Sequence, residues 1–202
     1  MPFDYYQRLS KKDRKIYDAS DAVARIDLAD PARARAAKQA VEAALAAEDK
    51  RATGRAAQAL ADAICDDCGV PRVVVRVLAK RPKDDAAELH GLYVREDDAP
   101  AVIRVWMRTA ERKQVVKPRT FLRTLLHELV HHLDYDLLKL ADSFHTQGFY
   151  RREASLFRQL DGAEPTPPPP LAGAAPRPPR AAARRRPQQL SLFEDPIKTS
   201  RS

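Results

Sequence analysis

Residues 121–144 read FLRTLLHELVHHLDYDLLKLADSF, and the spacing of their apolar side chains decides how the rest of the chain is read. Phe121, Leu122, Leu125, Leu126, Leu129, Val130 and Leu133 recur at three- and four-residue intervals, the period of a helix with a broad buried face. The helical pattern begins after Pro118. His127, His131 and His132 lie on or near the packed side, where an imidazole without a partner costs free energy. A strand is expected before this helix, so its rotation should be fixed against a sheet.

Working outward, the residues before it change period twice. Ser10 is a candidate cap for a helix through KKDRKIYDASDAVARI, and Asp30 followed by Pro31 is an N-cap and first-turn pair for ARARAAKQAVEAALAAEDK. A third helix, RAAQALADAICDDC, is expected to end near Gly69 and to be stopped by Pro71. From there the period becomes two: VVVRVL (73–78), LHGLYVR (89–95) and AVIRVWMR (101–108) are rich in β-branched and aromatic residues and are separated by turn-forming clusters. In the last of these, Ala101, Ile103, Val105 and Met107 share one face, suited to packing on helices. Beyond the histidines, a second helical segment is expected before His145, and GFYRREASLFRQL (148–160) should form a final helix. Helices, a small three-stranded sheet, two more helices and a tail make an α+β layout rather than an alternating one.

The chain has 202 residues and a formal charge of +8. Five of those charges arise from residue 165 onward, leaving +3 on residues 1–164, so nucleic-acid affinity is expected to lean on the tail. The opening MPFDYYQRLSKKDRK lacks a charged region followed by an apolar one, and no run of about 18 apolar residues occurs. We therefore expect a cytoplasmic, nucleoid-associated protein with no membrane partner. Cys65 and Cys68 have CxxC spacing. With no second such pair and no thioredoxin-like context, they read as small side chains at a helix end rather than as a redox pair or half a metal site.

His127 and His131, at i and i+4, project from one helical face about one turn apart, a separation suited to two nitrogens converging on one Zn2+ ion. Glu128 lies about 100° round the helix from His127, where it can reach a water rather than the metal. That is the arrangement of a zincin hydrolase, with the carboxylate taking a proton from water and passing it to the leaving amine. His145, close to Gly148 and Phe149, is the candidate third ligand. His132 is about 140° from His127 and off the ligand arc, a candidate for packing, for holding a ligand in place or for donating to an oxyanion. Asp134 either holds a ligand's other ring nitrogen or is a solvated helix-end carboxylate. Tyr135 and Tyr150 are candidate transition-state donors, and His90 reads as structural. The strand at 101–108 is expected to offer an edge that pairs with an extended peptide substrate.

Residues from about 60 to 160 resemble a SprT-like metalloprotease domain, the family that includes the Spartan protease of DNA-protein crosslinks. The resemblance rests on helices and a small sheet before His127-Glu128-Leu-Val-His131, followed by His145-Thr-Gln-Gly148-Phe149. The family's third-ligand motif usually reads His-Gly-x-x-Phe; here the His and Phe keep their spacing and the Gly is shifted. Two cysteines cannot form the zinc ribbon that many relatives carry. The resemblance implies a zinc-dependent protease with protein substrates bound to or trapped on DNA. Two other functions fit the same residues: a catalytically idle, zinc-stabilised adaptor for clamp or DNA, or a peptidase with one regulatory target. The expected organisation is a helical segment at 1–55, the zincin-like domain at 56–162, a linker at 163–187, a short motif at 188–195 and a terminus at 196–202.

The linker is rich in Pro, Ala and Arg and has too little apolar surface to offset its ordering entropy, so disorder is expected. As polyproline II it would reach up to roughly 70 Å. Arg177, Arg180, Arg184, Arg185 and Arg186 can contact DNA phosphates without sequence preference or serve as a solubilising run. Gln189, Leu190, Ser191, Leu192 and Phe193 resemble the peptide that binds the bacterial DNA sliding clamp. Three apolar anchors, each contributing about 1.5–3 kcal/mol on burial, less the cost of ordering, give an affinity near the micromolar range.

Overall fold

The computed structural model describes residues 3–80, 90–109 and 114–162. The expected linker, the clamp motif Gln189–Phe193 and the five tail arginines lie outside the described residues. The rest is α+β: five helices and a three-stranded mixed sheet.

A 3-10 turn at Asp4–Arg8 leads into α1 (Lys11–Asp21), whose cap Ser10 accepts from the Asp13 amide. α2 (Pro31–Ala46) starts at Asp30, whose carboxylate accepts from Ala32 N–H, with Pro31 in the first turn. α3 (Lys50–Asp67) is capped by Asp49 and closes at Cys68, followed by Gly69 at φ +64°, the left-handed value that favours glycine after a helix. The expected boundary at 55/56 falls inside α3, and Ile26, Leu28, Val41 and Leu45 share one core with the later elements.

β1 (Val74–Lys80), β2 (Gly91–Glu96) and β3 (Ala99–Arg108) stand in the order β1-β3-β2. β1 runs parallel to β3, with Val75 opposite Ile103, and β2 runs antiparallel to it, with Tyr93 opposite Ile103. Ala101, Ile103, Val105 and Met107 are all buried, as the alternation requires. The expectation that 101–108 offers an edge to a peptide is corrected: β3 is the central strand, and its backbone groups on both sides are taken by neighbours. The edge on the histidine side is β2, which packs with β3 against α4 (Pro118–Asp136).

α4 is buried along most of its length from Phe121 to Asp134. It stops at Asp136, and residues 137–146 form an irregular connection with Lys139 at φ 55°, so the second helical segment expected before His145 is absent. Polar side chains take over there. Ser143 and Asp142 are buried, and the Asp142 carboxylate accepts from Ser143 N–H at 2.8 Å and from the Tyr135 hydroxyl at 3.3 Å. α5 (Gln147–Leu160) begins at Thr146, whose hydroxyl accepts from Phe149 N–H. Its start presses on the end of α1: a Cβ at Gly148 would lie 2.5 Å from Ser20 O and 2.7 Å from Asp21 O, so only glycine fits. α1 ends at Asp21 rather than running to Ile26, and the Arg152 guanidinium takes the carbonyls of Ser20 and Val23.

Candidate metal centre

Two elements bring the three predicted imidazoles together. α4 presents His127 and His131 one turn apart, and the connection into α5 returns His145 to them. His145 Nε2 lies 2.9 Å from His127 Nε2 and 3.2 Å from His131 Nε2. The three residues form a group able to hold a metal ion, the one such group among the described residues. Phe149 packs beneath, with its ring 4.6 Å from His131, 4.8 Å from His127 and 5.0 Å from His145, which fixes the planes of all three.

The outer nitrogens decide which protonation states face inward. His127 Nδ1 lies 3.1 Å from the carboxylate of Glu153, an acceptor, so that nitrogen carries the proton and Nε2 presents a lone pair. Ser143 donates to Asp134 Oδ2 at 2.8 Å. Its oxygen is thereby left to accept from His131 Nδ1 at 2.8 Å, and His131 Nε2 also faces inward unprotonated. Asp134 thus supports a ligand through Ser143 rather than directly. His145 can donate to only one of the two lone pairs. Burial holds His131 well below the usual imidazole value, and burial with the neighbouring His127 brings His145 down to about 3, so protons do not readily fill the gap. Lone pairs converging in a buried space fit a cation. Two nitrogens on a tetrahedral zinc at about 2.0–2.1 Å would stand roughly 3.3 Å apart, close to the spacing found here.

Glu128 is fully buried, and neither carboxylate oxygen has a hydrogen-bond partner among the described residues. Burial pushes its carboxyl well above the usual range and the charge of Glu153 adds to this; the backbone of Tyr93 opposes it without reaching hydrogen-bond geometry. The side chain lies flat against β2: a Cβ at Gly91 would stand 2.8 Å from Glu128 Cγ and closer still to Oε1. A buried carboxylate with no partner stores a large desolvation cost, and an adjacent water and cation would relieve it.

The remaining predicted residues separate cleanly. His132 turns away from the trio, donating from Nε2 to Pro71 O at 2.7 Å, with Nδ1 3.2 Å from the Tyr93 hydroxyl; it ties α4 to the sheet. Tyr135 stacks on Tyr93 and gives its hydroxyl to Asp142. Tyr150 stays at the site, its ring stacked 5.9 Å from His145. His90 precedes β2 and takes no part in the trio. Cys65 and Cys68 are free thiols, and burial pushes them up to about 12 and about 11, which makes them poor nucleophiles and ligands.

Four contributors were not foreseen: Glu153, Ser143, Arg152 and Gly91. Arg152 is fully buried and donates to both oxygens of Asp134 at 2.8 and 3.0 Å and to Ser20 Oγ at 2.9 Å. Burial pushes the Asp134 carboxyl up to about 6 against the opposing pull of that guanidinium. Glu153 and Arg152 were legible in principle, because both fall on the stripe of α5 that carries Phe149, Leu156 and Leu160, where charge has no reason to be unless paired.

The fold and site together define an α+β domain with a three-histidine centre and an adjacent buried carboxylate. Comparison with protein-family models, curated proteins and solved structures finds no match for this chain. Among the described residues no helix is long and apolar enough to cross a membrane.

Proposed function

We propose that the chain is a zincin-like zinc metallopeptidase of SprT-like type. It acts on proteins associated with DNA, and its tail brings it there by binding the sliding clamp and DNA phosphates. The observation that carries the hydrolytic part is the pairing of inward lone pairs with an unpartnered carboxylate. His127 and His131 are locked by Glu153 and Ser143 into the tautomers a metal ligand needs, and Glu128, next to His127 on the same buried helix, has no hydrogen-bond partner for either oxygen among the described residues.

His127, His131 and His145 would hold one Zn2+, which when bound polarises a scissile carbonyl and acidifies water. Glu128 accepts the proton of the attacking water as its oxygen adds to the carbonyl carbon. When the C–N bond breaks, Glu128 returns that proton to the leaving amine. Its raised affinity for a proton suits a group that must hold one between the two steps. β2, an edge strand with no partner on its outer side among the described residues, offers backbone groups to an extended polypeptide. Such pairing favours cleavage with little side-chain selectivity. Tyr150, whose ring stacks on His145, is the candidate phenol for a developing oxyanion; Tyr135 donates to Asp142.

Two comparisons test this. Glu128→Gln should abolish cleavage of a protein crosslinked to DNA while one zinc per chain is retained; absence of cleavage by the unmodified chain on any DNA-bound protein contradicts the peptidase assignment and leaves a zinc-stabilised adaptor. Replacing Leu192 and Phe193 by Ala should remove binding to a bacterial sliding clamp, and unchanged binding would refute the tail's role.

A further inference from the structure

Burial locates the mouth of the histidine cluster. His127, Glu128 and His131 are closed off, whereas His145 keeps partial exposure, so a ligand approaches the three Nε2 atoms past His145. The ring on that side is Tyr150, stacked on His145 at 21° and 6.2 Å from His127. Beyond Tyr150 stands Phe3, edge-on at 6.1 Å, and Phe3 lies flat on Tyr5 at 7°.

These rings are held from behind. The Tyr5 hydroxyl donates to His145 O at 2.8 Å, and its ring meets Tyr17 edge-on at 5.8 Å. The Phe3 amide donates to the Tyr17 hydroxyl at 3.1 Å. Phe3 is therefore positioned through its backbone while its ring remains 38% exposed, next to Tyr150 at 41%. The other exposed large hydrophobic residues among the described ones, Val74 and Leu78, lie on β1. Two touching rings kept partly in water add little to folding, but a ligand side chain that covers them removes that area from water.

We infer that Phe3 and Tyr150 form an apolar subsite for an aromatic or large aliphatic side chain of a polypeptide, next to the bond held at the histidine centre. This deepens the peptidase assignment and rests on it. A polypeptide is the occupant because the rings flank the histidine centre at which the peptidase reading places a scissile bond, and Asp4, which follows Phe3 in the same turn, disfavours a phosphate there. Arg8 closes that turn and Arg151 follows Tyr150, so a stacked base with its phosphate is the competing occupant, and the test separates the two.

The test uses the full, zinc-loaded chain carrying Glu128→Gln, so that binding is read without turnover. The probes are short fluorescein-labelled peptides of one sequence with Phe, Leu, Ala or Asp at a single central position. The Phe and Leu peptides should bind about tenfold more tightly than the Ala peptide, the effect of covering part of a large apolar side chain. Adding Phe3→Ala should bring that ratio below about threefold and Phe3→Leu should leave it intermediate, with zinc content unchanged. No peptide binding, indifference to the central residue, or a ratio untouched by Phe3→Ala would each overturn the subsite. So would a single-stranded oligothymidylate that competes with the peptide and loses affinity on Phe3→Ala, since the rings would then belong to bases. If the ratio holds but the chain with Glu128 intact cleaves no polypeptide, the subsite stands and the hydrolase assignment alone fails.

Discussion

No side chain fits at Gly91, because the Glu128 carboxylate occupies the space a Cβ would take. Gly91→Ala should push Glu128 out of place, costing about 1–3 kcal/mol of stability in urea unfolding and reducing turnover while zinc remains bound. Unchanged stability and turnover would mean that Glu128 is not held by β2. Glu153 acts through His127: Glu153→Gln should weaken zinc affinity about 10- to 100-fold in chelator competition, and unaltered affinity would deny it that role. His127, Glu128 and His131 were legible in the sequence because their relation is helical and local. His145 was legible because its spacing places it within reach of a chain reversal. Gly91 and Ser143 were not, since each depends on where another element comes to lie.

Among the elements, α1, α4 and α5 are joined at the buried Arg152, which links Ser20 and Val23 to Asp134. Removing one member of a buried ion pair leaves the other charge uncompensated, so Arg152→Met should cost about 3–5 kcal/mol. Arg152→Met combined with Asp134→Asn should cost less than Arg152→Met alone, because Asn carries no charge and still accepts from Ser143. Equal or additive losses in urea unfolding would show that the pair is not coupled. The three strands and the helices that end at Gly69 and begin at Pro31 and Pro118 follow from period, caps and proline. Strand order did not, because periodicity says which face a strand buries and nothing about which neighbour it takes; that is why β3 was misread as an edge. The early end of α4 was equally hidden, since LLKLADSF keeps a helical pattern that the buried Asp142 and Ser143 override.

For the whole molecule, a metal that binds the folded state alone stabilises it by mass action. Stripping with a chelator should lower the unfolding temperature and adding zinc should restore it, by about 2.7 kcal/mol when free zinc is a hundredfold above Kd. No shift would mean that no cation is bound between the imidazoles. Residues 1–164 carry only +3 of the total +8, so deleting the tail should greatly reduce DNA affinity and flatten its salt dependence, as measured by titration at several salt concentrations. The metal content of the purified full chain beside His145→Ala is the most direct probe of the centre itself. One zinc per chain, falling well below one in His145→Ala, is the expected result; no zinc in the unmodified chain, or full zinc in His145→Ala, would contradict the three-histidine centre.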